Sequence, residues 1–294
     1  MKKTMALTFA ALLAAAGAEA TIIQLNFTDD TAVRTGQIGS SGYWTSVDGG
    51  TTGTGNVADL IDNANTSTGI SLTWGSLSGY QNAGRGENGT GVAGTANDGL
   101  STWTAAAAAK DPNSGVTTAD GKFFPWSVVG TFSADNRDSG RDSLMSFTFA
   151  SDTQLTYSFW VASSYDHNNP AAANFVGLFN VGGTYDYNTG FTGGATLTLA
   201  SAYQQASSDT ILDSSETSPG SVKYQVGRLG TTFPSVYNEG SGKYELTFQA
   251  GAAKVNTPGV YLNGLIVEAI PEPASAGIFA LGVAVVLLHR RVRG

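Results

Sequence analysis

The sequence predicts an all-β fold, an antiparallel β-sandwich, and three observations carry that prediction. Many segments alternate apolar and polar side chains with period two. The segments are separated by turns rich in Gly, Ser, Asn and Asp, with 38 glycines in the chain. Runs with helical period are scarce. Together these describe half-buried strands joined by turns.

The clearest strand is Gln154 to Val161, where Leu155, Tyr157, Phe159 and Val161 share one face and Gln154, Thr156, Ser158 and Trp160 the other. Met145, Phe147 and Phe149 alternate with Ser146 and Thr148, and Tyr244, Leu246 and Phe248 with Lys243, Glu245 and Thr247. Val222, Tyr224 and Val226, and Ile23, Leu25 and Phe27, follow the same rule. Residues 69–74, 126–132, 174–181, 195–200 and 260–268 complete a set of about ten strands, enough for a sandwich.

One short helix and a further helical turn or two are expected inside this β-rich region. Asn56 followed by Val57, Leu60, Ile61 and Ala64 has the cap and spacing of a short amphipathic helix. Trp103 to Lys110 holds five alanines and stops before Asp111-Pro112. Gly53-Thr54-Gly55-Asn56-Val57-Ala58 matches the glycine pattern of a dinucleotide loop, but no apolar strand precedes it, which argues against that role. Residues 80–98 read as a long glycine-rich loop.

The ends have a different character. Lys2 and Lys3, an apolar run from Met5 to Ala16, and Gly17-Ala18-Glu19-Ala20 have the order of a secretion signal, with cleavage after Ala20 and a new N-terminus at Thr21. At the other end Pro271-Glu272-Pro273 is followed by uncharged residues from Ala274 to Leu288 and then by Arg290, Arg291 and Arg293. Fifteen helical residues reach about 22 Å, short of a roughly 30 Å hydrocarbon layer, a gap that bilayer thinning and snorkelling arginines can cover. The basic cluster marks a cytoplasmic anchor, leaving the rest of the chain outside. The expected organisation is a signal peptide at 1–20, one β-sandwich ectodomain at 21–268, and a tail at 269–294.

The order of Pro271-Glu272-Pro273, short helix and arginine cluster resembles the sorting tail of the PEP-CTERM family. That resemblance implies sorting by an exosortase, a membrane-embedded cysteine protease that cuts near the motif. It covers about the last 25 residues and concerns sorting rather than the ectodomain. Ile22 to Phe27, Leu155 to Trp160, and Tyr261 to Val267 leading into the tail resemble strands of galactose-binding-like jelly rolls, which implies a fold more than a ligand.

Composition narrows the chemistry. No cysteine is present, which excludes a thiol nucleophile and cysteine-bound zinc. Setting aside Lys2, Lys3 and the three tail arginines from 15 basic residues, and Glu19 and Glu272 from 23 acidic ones, leaves the segment between at about −11. Such a charge disfavours a nucleic-acid partner.

Between the ends only His167 could serve a Ser-His-Asp arrangement, and it lies in a turn-like Asp-His-Asn-Asn-Pro run with no G-x-S-x-G elbow in the chain. No catalytic residue is assigned. Asp135, Asp138 and Asp142 offer oxygen ligands for calcium, although Arg137 and Arg141 can neutralise them; Asp29 and Asp30 are a second candidate. No other cofactor is expected. Trp160, Tyr185 and Tyr187 are candidate sugar-stacking aromatics, with core packing as the alternative for Trp160.

The expectation is an exported cell-surface or extracellular-matrix protein that passes signal peptidase and exosortase, is held to the membrane by its C-terminal helix, and meets extracellular polysaccharide. A non-enzymatic structural, adhesive or glycan-binding role is favoured. A secreted carbohydrate-active hydrolase carrying the same tail is the alternative.

Overall fold

Ile23, Leu25 and Phe27 reach one buried core while Gln24 and Asn26 point to the opposite side of their strand, as period-two alternation requires. The computed structural model describes residues 19–27, 35–47, 54–76, 113, 115–125, 128, 144–165, 177–186, 188–199, 204–205, 223–251 and 262–272. Within these, strands run in the order β1 (Thr21–Phe27), β2 (Gly36–Gln37), β3 (Tyr43–Val47), β4 (Gly55–Val57), β5 (Ser71–Ser76), β6 (Gly115–Thr117), β7 (Phe123–Pro125), β8 (Leu144–Ser151) and β9 (Leu155–Tyr165). There follow β10 (Gly177–Val181), β11 (Thr184–Asp186), β12 (Gly190–Thr192), β13 (Ala195–Leu199), β14 (Gln204–Gln205), β15 (Lys223–Pro234), β16 (Val236–Asn238), β17 (Lys243–Gly251) and β18 (Gly264–Pro271). The fold is all-β; among the described residues, helical backbone is found in one short 3-10 turn at Gly39–Ser41 and at Val128.

Two seven-stranded sheets dominate. The first has the order β14-β15-β9-β18-β1-β3-β2. The second runs β13-β10-β17-β8-β5-β4, with β16 paired to β17 beside that path. Side chains of both sheets meet in one core: Phe149 of β8 lies 5.8 Å from Tyr157 and 5.7 Å from Phe159 of β9, and Phe159 lies 5.2 Å from Phe248 of β17. Phe27 of β1 meets Phe147 of β8 edge-on at 5.1 Å. The expected core face of β9 is the observed one. Offset and edge-on aromatic contacts of this kind add to simple area burial.

Ser235 marks where the chain leaves the first sheet for the second. Its amide donates to the Leu155 carbonyl at 2.8 Å, and its hydroxyl both accepts from the Leu155 amide at 3.0 Å and donates to the Leu155 carbonyl at 2.9 Å. Just before this corner the β15–β9 register shifts between Leu229 and Phe233, a bulge that includes Gly230 at φ +53.

Three expectations need correction or limiting. First, the strand pairing is not wholly antiparallel: β1 and β3 run parallel, Leu25 opposite Thr45 and Phe27 opposite Val47. The residues between them are numerous enough for the crossover that parallel neighbours require. Second, residues 56–64 form no helix. Residues 55–57 are strand β4, and the segment beyond folds around two carboxylates. Asp59 accepts from the Ser67 hydroxyl and from the Thr68 and Gly69 amides, while Asp62 accepts from the Ala64 and Thr66 amides. These aspartates offer the backbone a turn in place of a helical ladder, and Leu60 is buried for reasons unrelated to helical spacing. Third, the expected helical turns at 103–110 and the loop at 80–98 lie outside the described residues, as does the strand expected at 126–132 except for Val128, which is helical rather than extended.

Candidate functional site

Trp160 points away from the main core, from the middle of β9. Its neighbours in register across the first sheet are Ile266 of β18 and Arg228 of β15. The β6–β7 hairpin lies over it. The turn between those strands, Thr118 to Lys122, closes through the Thr118 amide to the Lys122 carbonyl at 2.8 Å and the Gly121 amide to the Thr118 carbonyl at 3.0 Å. Gly121 takes φ +88 there, a conformation an L side chain rarely adopts.

That turn aims Asp120 at the sheet. The Trp160 indole Nε1 donates to Asp120 Oδ2 at 2.6 Å, and the Thr118 hydroxyl donates to Asp120 Oδ1 at 2.7 Å. Arg228 stands 3.7 Å from the same carboxylate, and its guanidinium carbon lies 5.0 Å from the centre of the Trp160 ring. Lys122 Nζ sits 4.5 Å from that centre and 3.5 Å from the Glu268 carboxylate. The result is an indole covered by two cations, each paired with an acid. Burial pushes the Asp120 carboxyl up, but the hydrogen bonds from Thr118 and Trp160 and the charge of Arg228 outweigh it and hold the group below its ordinary value.

Apolar contacts fasten the same hairpin. Phe124 of β7 is fully buried against Trp44 of β3, ring centres 6.1 Å apart, and a Cβ on Gly264 would press on Val128 at 2.6 Å and Phe124 at 3.3 Å. Phe124 of the hairpin therefore packs directly over the backbone of β18 at Gly264.

This geometry decides between the two readings of Trp160. With 2 % of its surface exposed and cations across its ring, it presents no open face to a sugar, and the packed alternative is the arrangement found. Tyr185 belongs to the β11–β12 hairpin and packs half-buried against Phe191 at 5.1 Å, while Tyr187 lies outside the described residues. Among the described residues, an aromatic ring facing water that sequence reading missed is Tyr237 of β16, 53 % exposed and supported edge-on by Tyr244 at 5.2 Å.

Asp135, Asp138 and Asp142, like Asp29 and Asp30, lie outside the described residues. Among the described residues no group of three His, Asp or Glu gathers as a metal site. Of the described acids, Asp59, Asp186 and Glu245 also sit below their ordinary values through hydrogen bonds from neighbouring hydroxyl, amide and, for Glu245, side-chain amide groups. Burial pushes the Tyr157 phenol up to about 12, so it stays protonated.

The two expected processing points come together at one end of the first sheet. Thr21, the predicted new N-terminus, is the first residue of β1 and lies opposite Ala269 of β18. Two residues later Pro271 still pairs with Leu155 of β9. The Glu272 amide donates to the Gln154 carbonyl at 3.3 Å, and the Thr156 hydroxyl donates to Glu272 Oε1 at 3.0 Å. Ala18, Pro273, Arg290, Arg291, Arg293 and the segment from Ala274 to Leu288 lie outside the described residues; among those described, no helix is long and apolar enough to cross a membrane.

No family model, curated protein or solved structure matches the chain.

Proposed function

We propose that this chain is an exported surface or matrix protein whose β-domain stands on a Pro-Glu-Pro sorting tail, with a structural, adhesive or glycan-binding role rather than a catalytic one. The observation that carries the reading is the pairing of Thr21 with Ala269. Both expected transport signals leave the domain from one end of one sheet, so a membrane-held precursor has its signal and anchor on the same side. The order of basic residues, apolar run and small residues at the start, and of motif, apolar run and arginines at the end, supports it independently. The two sheets then form the layers of a β-sandwich of jelly-roll type, and exosortase and signal peptidase are the processing partners.

Tyr237 supports the glycan-binding form of the proposal. Its exposed ring, braced by Tyr244, suits stacking on the apolar face of a sugar in extracellular polysaccharide. Asp120 is held ionised by its partners, which makes this group a poor proton donor for glycoside hydrolysis.

The test is fractionation of the source bacterium expressing the full chain or its Glu272→Ala variant, with the purified protein assayed on polysaccharides. The proposal expects the variant to accumulate at a different location and the native protein to cleave no polysaccharide. Unchanged distribution and mass would reduce the tail to an anchor, and polysaccharide cleavage would favour the hydrolase.

A further inference from the structure

We infer that the fold closes β18 to proteolysis, so that removal of the tail leaves Pro271 and Glu272 on the mature domain. That a cut occurs at all rests on the sorting proposal; where a cut can fall rests on the strand itself.

A protease binds its substrate as an extended segment, whose backbone groups on either side of the scissile bond must be free to pair with the enzyme. In β18 they are already used. The strand lies between β9 and β1, with Gly264 to Pro271 paired to β9 and Gly264 to Ala269 paired to β1. Peeling it away would break ladders on both edges and expose Leu265, Ile266, Val267 and Ala269, all of them buried. Such an opening approaches global unfolding rather than end fraying.

The double pairing ends at a defined place. Beyond Ala269 the β1 edge is finished, because β1 begins at Thr21. Pro271, which has no amide hydrogen to give, stands where only the β9 side is paired, a position that a strand proline tolerates. Glu272 is then held by its amide on Gln154 and by Thr156 on its carboxylate. Both bonds are at the surface, so they hold this residue less firmly than the ladders hold β18, but they still occupy its backbone amide and carboxylate. Thr156 acts as a positioning residue for the motif. Removal of the tail by hydrolysis adds one water across one backbone amide, leaving a new carboxyl group on the domain and a new amino group on the tail.

Two measurements on the full chain separate this inference from the proposal beneath it. In detergent micelles, brief digestion with a broad-specificity protease followed by fragment mass mapping should give no cut from Gly264 through Glu272 while cuts elsewhere in the chain accumulate. Early cuts inside β18 would overturn the inference. In the same preparation Thr156→Val should speed hydrogen exchange at the Glu272 amide about two- to five-fold and leave Leu265 to Val267 unchanged; equal change at both places, or none at Glu272, would remove Thr156 from this role. The intact mass of protein recovered from the source bacterium gives the second answer. A processed chain ending before Glu272 would overturn the inference and leave the sorting proposal standing. An unprocessed chain would overturn the sorting proposal, with the digestion map still deciding the inference.

Discussion

Trp160 and Asp120, forty residues apart in the chain, are joined by a 2.6 Å hydrogen bond from the indole nitrogen to a carboxylate oxygen. The bond ties the β6–β7 hairpin to the outer side of the first sheet. Replacing Trp160 by Phe keeps the apolar body and removes the donor. With Asp120 36 % and Arg228 40 % exposed, solvent screens what remains, so the expected loss is about 1 kcal/mol in urea unfolding. Trp160→Ala also empties a buried site and should cost about 3–5 kcal/mol. Equal losses for the two variants would show that the hydrogen bond, not the packing, dominates.

The same pair sets an acid limit. Asp120 has its folded value below the ordinary 3.8, so its contribution is complete above that value and disappears as pH falls further, through the folded value. Hydrogen-exchange protection factors across residues 115–125 should therefore hold from neutral pH to about pH 4 and decline only in stronger acid. Asp120→Asn should flatten that decline. Loss of protection between pH 7 and pH 5 would contradict the assignment.

Phe159 stands where the two sheets meet, 5.7 Å from Phe149 and 5.2 Å from Phe248. Phe159→Ala should lower stability by about 3–5 kcal/mol, read as a lower urea midpoint. A loss under 1 kcal/mol would mean that the sheets do not depend on this layer.

Two glycines on neighbouring strands should behave oppositely. A Cβ on Gly55 would enter the space of the Trp74 ring, whereas one on Gly75 meets nothing within 4 Å. Gly55→Ala should cost about 1–3 kcal/mol and Gly75→Ala should be neutral or slightly stabilising. Thermal unfolding of the two variants checks this, and similar melting temperatures would contradict the packing described.

Much of the sheet structure was legible because alternation is a direct imprint of a surface buried on one side. Leu155, Tyr157, Phe159 and Val161 could be assigned to the core from spacing alone, and Trp160 to the other face. Leu60 misled because a buried loop leucine beside Ile61 and Ala64 mimics helical spacing, while the aspartates that fold the loop act through hydrogen bonds no periodicity records. Lys122, Arg228, Glu268 and Asp120 escaped notice for another reason. They come from three elements whose adjacency is set by strand order, and β6 and β7 are three residues each, too short to alternate visibly. One local signal was present: Asp120-Gly121 between two β-prone runs is a hairpin turn. Tyr237 was missed because its strand also has three residues, and exposure leaves no periodic trace.

Tyr237 offers a test of ligand chemistry. If the domain holds polysaccharide through that ring, Tyr237→Ala should weaken retention on the polysaccharide about ten-fold without lowering the melting temperature. Unchanged retention would exclude this ring as the contact.

Export through the proposed signal places the start of the folded domain at Thr21. N-terminal sequencing of the protein recovered from the outside of intact source cells should give a chain starting at Thr21, the first residue of β1. Recovery only from the cytoplasm with Met1 still attached would rule export out.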